Sequence, residues 1–324
     1  MSLDEIIDTT SGDQLPPITD ASAPFDNPDA DVILRSADNV DFRAFKSFLS
    51  YASPFFKGMF ALPQVLEGDN SNEIRDGLPV VRVMEGGQTL ERLLMLCYPV
   101  DSPCLDALGD VQTLLGAAMK YNVERAEKNA RKWLISSKFV ESEPLRVFGI
   151  ACRYGLEEEA RKAATSIIGR QIVNEGVEND LDHITGTQLF RLLQYQKKCV
   201  EALKNVFTNF SWIERTFCWF ECWACSAGTD INIGADGRLV SQSRWWLAYM
   251  EGSAAALTNG TWEKVKKNLM DTALREACRC RSGNCEEKGA FVQMGEFVSL
   301  FEEELKRVVA EVSDLPVTIP RMCE

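Results

Sequence analysis

The chain has a single histidine, His183, in 324 residues. A Ser-His or Cys-His dyad would have to be built on that one imidazole. It stands in "NDLDHITG", in polar company ahead of a predicted helix, where it reads as a surface or capping residue. No Gly-x-x-x-x-Gly-Lys-Ser/Thr occurs, and no Gly-x-Gly-x-x-Gly follows a strand, so no phosphate cradle is visible. "DNPDAD" lacks the glycine and the distant glutamate of a calcium loop. No apolar run approaches the ~18 residues that span a bilayer. The most membrane-like stretch, "TFCWFECWAC", is short and carries Glu221. An excess of positive charge is missing too: 35 Lys and Arg stand against 48 Asp and Glu, for a net charge of −13. That balance opposes broad contact with nucleic acid phosphates or an anionic membrane surface. The one basic helical stretch, "EKVKKNLM", reads as a solvated face. The acidic opening "MSLDEIIDTTSGD" has neither a basic n-region nor an apolar h-region, so no secretory signal is expected there. With no catalytic constellation in view, the expectation is a protein that is not an enzyme.

What is present is an ordinary globular composition, 45% hydrophobic and 26% charged, in a chain long enough for two or three domains. There are eleven cysteines, an odd number. Without a signal peptide they read as reduced thiols in the cytoplasm or nucleus. Residues 1–23 are polar, acidic and Pro/Ser/Thr-rich, and are expected to be a disordered tail. From 24 to 138 strands and helices mix. "ADVILRS" is an alternating strand, "ADN" a turn and "VDF" the return strand; "LPVVRVM" is a further strand. Ser53-Pro54 marks a helix start, Ser as N-cap and Pro at the first helical position. Leu90, Leu93, Leu94 and Cys97 share one helical face that Pro99 ends. Residues 139–175 read as a helix pair with a stop at Gly155 and another at Gly169. Residues 176–324 read as a helical region rich in Cys and Trp, interrupted by "AGTDINIGADGRLVSQ", a loop or small hairpin.

The stretch "VDFRAFKSFLSYASPFFKGMF" holds seven aromatics: Phe42, Phe45, Phe48, Tyr51, Phe55, Phe56 and Phe60. With its flanks it resembles the start of a BTB/POZ domain, in Asp31-Val32-Ile33-Leu34, Phe42, Phe45-Lys46, Leu49, Ser53, Phe56 and Met59-Phe60. "LPVVRVMEGGQTLERLLMLCYPVD" and "LLGAAMKYNVERAEKNARKWL" are similar to that family's later strand and helices, and the resemblance covers 24–138. The wording around Asp76-Gly77-Leu78-Pro79 and Cys97-Tyr98-Pro99 is similar to the fungal branch. "EPLRVFGIACRYGLEEEARKAA" resembles the first helices of a BACK region. One departure is Phe45, where relatives often carry His.

The resemblance implies an α+β fold, a short sheet capped by helices and followed by BACK-like and further helices. It implies a protein–protein interaction module that homodimerises and recruits partners. It also implies that Phe42, Phe48, Phe56 and Phe60 are core, and that Tyr51 and Phe55 are candidates for a partner-covered surface. Val65-Leu66-Glu67 is similar to the hydrophobic-x-Glu element of substrate adaptors for cullin-type ubiquitin ligases, which makes a cullin a candidate partner. A transcription-associated regulator without direct DNA reading is a third expectation.

Eight of the eleven cysteines lie after residue 190. Cys222-x-x-Cys225 is one hook with zinc-knuckle spacing. Cys278, Cys280 and Cys285 in "CRCRSGNC" form a second. Two hooks can build a tetrahedral thiolate site for a structural zinc. Alternatively, Cys218, Cys222 and Cys225 are helically spaced beside Trp219 and Trp223 and pack as small hydrophobes. Arg279 and Arg281 could also mark a reactive thiol. No His or acid sits at ligand spacing, which weighs against a catalytic zinc.

Overall fold

The computed structural model describes residues 16–62, 73–170, 184–280, 285 and 289–312. The chain divides into two compact units, Met1–Ser136 and Ser137–Glu324.

In the first unit, β1 (Thr19–Asp20), β2 (Val32–Arg35), β3 (Val40–Ala44), β4 (Ile74–Arg75) and β5 (Leu78–Arg82) form one sheet in the order β1-β3-β2-β5-β4. The helices are α1 (Lys46–Ala52), α2 (Pro54–Ala61), α3 (Gly87–Cys97), α4 (Leu108–Lys120) and α5 (Glu124–Leu134). β2 and β3 form the expected hairpin, with Val32 opposite Ala44 and Arg35 opposite Asp41. Asn39 closes its turn at φ 61°, a left-handed conformation that Asn tolerates better than most residues. β5 runs parallel to β2, Ile33 opposite Val80. All four residues of β2 are buried, Arg35 included.

A buried arginine needs partners for its guanidinium. Arg35 forks onto Asp41, with Nε and Nη2 donating to the two carboxylate oxygens at 2.5 and 2.8 Å. It also bonds Glu73. Arg75 donates to Asp41 at 2.5 Å and pairs with Asp20. Strands β1 to β4 are thus tied by one ion network whose centre, Arg35 and Asp41, is fully buried. Burial pushes the Asp41 carboxyl up, but the hydrogen bonds and charges of Arg35 and Arg75 outweigh it and hold the group below the usual carboxylate range.

The helices are anchored by specific polar contacts. Ser53 caps α2 as expected: its Oγ accepts from Phe56 N–H at 3.1 Å and donates to the Tyr121 carbonyl at 2.6 Å. Asp38, in the hairpin turn, accepts from Gly87 N–H at 2.8 Å, placing a negative charge at the start of α3.

In the second unit, α6 (Ser137–Ser142), α7 (Pro144–Arg153), α8 (Glu157–Ile167) and α9 (Gly186–Val206) precede a hairpin. That hairpin, β6 (Ser226–Ile233) and β7 (Arg238–Ser243), occupies the Gly/Asp-rich interruption. Then come α10 (Arg244–Thr258), α11 (Trp262–Ala277) and α12 (Ala290–Glu311). Thr185 and Gln188 close a capping box on α9. The core is aromatic. Phe217 stacks on Trp219 at 4.6 Å, and Phe297 meets Phe217, Trp219 and Trp246 edge-on at 5.5 to 5.9 Å. Edge-to-face packing of this kind adds to burial because ring edges and faces carry opposite partial charge.

Candidate functional site

Two features stand out, one in each unit. In the first, the aromatic stretch divides between core and surface. Phe42 and Phe56 are buried, and Phe56 stacks on Tyr121 at 5.2 Å. Phe60, half-buried, stacks on Phe56 at 6.1 Å. Tyr51 is 95% exposed and Phe55 45% exposed, so both present ring surface to solvent.

Phe48 departs from the core expectation, being 39% exposed. It lies three residues before Tyr51 on α1, and positions three apart share a helix face. Leu49 turns inward in its place and is fully buried. One side of the Phe48 ring still rests on Tyr98 at 4.8 Å. Phe45, in place of the frequent histidine, packs edge-on to Phe48 at 5.8 Å, and its backbone N–H donates to the Tyr98 hydroxyl at 2.8 Å. Leu62, at the end of α2, is a further exposed apolar residue that the sequence reading did not single out. The helical spacing of Phe48 and Tyr51 was the signal for an outward aromatic face on α1. Val65, Leu66 and Glu67 lie outside the described residues, as does His183.

In the second unit the cysteine hooks converge. The sulfurs of Cys222, Cys225, Cys280 and Cys285 all lie within 4.8 Å of one another. Cys222 Sγ is 3.4 Å from Cys280 Sγ, and Cys225 Sγ is 3.7 Å from Cys285 Sγ. A tetrahedron of four thiolates at the usual zinc–sulfur distance of ~2.3 Å has an edge of ~3.8 Å, so both contacts fall just inside it. None of the cysteines among the described residues forms a disulfide. Cys222, Cys225 and Cys285 are buried and Cys280 is half-buried. Burial pushes the Cys225 thiol up to about 12 and raises Cys285 as well, since an unneutralised thiolate is costly in a dry site.

Cys278, the fifth expected ligand, does not join them. It is the C-cap of α11 and is exposed, whereas Cys280, two residues on, has left the helix and faces the other three. The helical spacing of Cys218, Cys222 and Cys225 is not realised as an α-helix either. A 3-10 turn covers only Cys218–Glu221, and Cys222 and Cys225 follow it on extended and turning backbone. Trp223, between the two ligands of the first hook, is 80% exposed.

The second unit also holds a cavity of about 760 Å³ whose lining includes Tyr195, Leu203, Trp262 and Leu305, with Arg161 and Lys266 on its wall. Lys266 is held by Glu263 and Glu302 at 2.8 and 3.1 Å, which raises its pKa. A paired ammonium of that kind is not poised as a nucleophile.

Residues 25–138 match the family model of the BTB/POZ domain, and the first unit accordingly carries a BTB domain, a short sheet capped by helices within an α+β chain. BTB domains are protein-interaction domains. No curated protein matches the sequence. Among the described residues, no helix is long and apolar enough to cross a membrane.

Proposed function

We propose that this protein is a non-enzymatic interaction module that homo-oligomerises through its BTB domain and recruits a second protein. The observation that carries the reading is the pair of outward rings on consecutive helices, Tyr51 and Phe55. Large exposed aromatics gain on the order of 1.5–3 kcal/mol each when another chain covers them. The working compartment in this reading is the cytoplasm or nucleus, where an odd count of eleven cysteines stays reduced. The fungal likeness and the BACK-like character of α7 and α8 belong to the same reading and rest on the wording of the sequence.

The test is mass by light scattering on the full-length protein. A dimer is expected for the wild type and a monomer for the Tyr51→Ala/Phe55→Ala double variant, with unchanged circular dichroism. A wild-type monomer, or a double variant that stays dimeric, would remove these rings from the interface.

The second reading, an adaptor of a cullin-type ubiquitin ligase, is favoured by Val65-Leu66-Glu67 after α2. Here calorimetry against the N-terminal domain of the cullin that serves BTB adaptors decides. Micromolar heat that Glu67→Ala abolishes supports an adaptor. No heat leaves the scaffold, or a transcription-associated regulator that contacts DNA only through partners.

A further inference from the structure

We infer that Cys222, Cys225, Cys280 and Cys285 bind one structural zinc ion, which ties the segment before β6 to the segment between α11 and α12. Four sulfurs converge within 4.8 Å. Ordinary packing surrounds a buried thiol with carbon and does not demand four sulfurs at one point. The 3.4 and 3.7 Å contacts are far too long for a disulfide bond of ~2.05 Å, and close to the edge of a metal-centred tetrahedron.

The donor set selects the metal. Thiolate sulfur is soft, which favours zinc over calcium or magnesium, both of which take oxygen ligands. All four positions are protein ligands, so none is left for water or substrate, and the site is closed and structural.

The backbone holds both hooks independently of the sulfurs. The Cys225 carbonyl accepts from Arg244 N–H at 2.8 Å, fixing the first hook to the start of α10. Cys280 N–H donates to the Ala277 carbonyl at 3.1 Å, fixing the second to the end of α11. Residues 58 and 60 positions apart in sequence are thereby brought together beside the aromatic core, which includes Cys222, Cys225 and Cys285.

The experiment uses the full-length protein, purified under reducing conditions from zinc-supplied cells, with metals measured by plasma mass spectrometry. One zinc per chain is expected. Exchange with Co²⁺ should give the intense visible bands of a tetrahedral thiolate complex. Cys285→Ser should lose the zinc and the cobalt bands, while Cys278→Ser keeps both. Should Cys285→Ser fail to fold, the wild-type zinc content, the cobalt spectrum and the Cys278→Ser variant still decide. A wild type without zinc, iron in its place, or a folded Cys285→Ser that retains a full equivalent would overturn the assignment.

Discussion

Replacing Asp41 with alanine will destabilise the BTB unit by about 3–5 kcal/mol, the usual cost of leaving a buried charge without its partner. Asp41 receives both Arg35 and Arg75, and both it and Arg35 are shut off from water. Its removal strands the Arg35 guanidinium with Glu73 alone. Domains have only about 5–15 kcal/mol to lose, so the effect will be visible as a large drop in denaturant midpoint. Hydrogen exchange in the full-length protein localises it. Strands β2 and β3 should lose protection while α9 and α12 keep theirs. The contrasting variant is Arg35→Met/Asp41→Leu, which removes both buried charges at once and should cost clearly less than Asp41→Ala. A double variant as damaged as the single one would mean that the network is held for shape rather than charge.

The same network sets the acid limit of this unit. The folded pKa of Asp41 is depressed relative to an unfolded value of ~3.9. A depressed carboxylate contributes stability that is fully present above the unfolded pKa. That stability is lost as pH falls through the folded pKa, because the unfolded chain then binds the proton more readily. Glu73 is depressed as well, chiefly by its hydrogen bond from Arg35, and shifts the balance in the same direction. The BTB unit should therefore hold its stability to about pH 5 and lose it progressively below ~4. In Asp41→Asn, a weaker acid limb from a lower starting stability is expected; an unchanged slope would sink the assignment.

Much of the first unit was legible because its signals are local. Ser53 before Pro54 caps a helix, and the run "ADVILRS" followed by "ADN" and "VDF" makes a hairpin; both are realised, although β2 is buried on both faces instead of alternating. The buried ion network was not legible, since Arg at the end of an apolar strand ordinarily reads as an outward residue. Its burial depends on Glu73 and Arg75, which follow a distant stretch of chain and meet Arg35 and Asp41 only once β4 and β5 have joined the sheet. Phe48 shows the same boundary from the other side: hydrophobicity predicts burial, but the rotation of α1, fixed by Leu49 and Tyr98, decides which ring faces out. For the cysteines, the two hooks could be read from spacing, whereas the choice of Cys280 over Cys278 depends on where α11 stops.

Stripping the metal from the second unit should have the other large effect, conditional on zinc being bound as inferred. A ligand that binds only the folded state stabilises it by RT ln(1 + [L]/Kd), about 4 kcal/mol when the free ion is at a thousand times its Kd. Zinc sites in small domains commonly exceed that, because the thiolates have no preformed site in the unfolded chain. Here the loss will be partial in structure. The stacked core of Phe217, Trp219, Trp246 and Phe297 does not pass through the sulfurs and will keep α10 and α12 packed. A chelator under reducing conditions is therefore expected to lower the melting temperature of the second unit and to raise hydrogen exchange around 222–226 and 278–280. Exchange in β2, β3 and α4 should not change, because no ligand lies in the first unit. Adding back Zn²⁺, but not Mg²⁺, should restore both readings, since only the softer ion suits four thiolates. Equal loss in both units would point instead to a general effect of the chelator, and no loss in either to four thiols that need no ion.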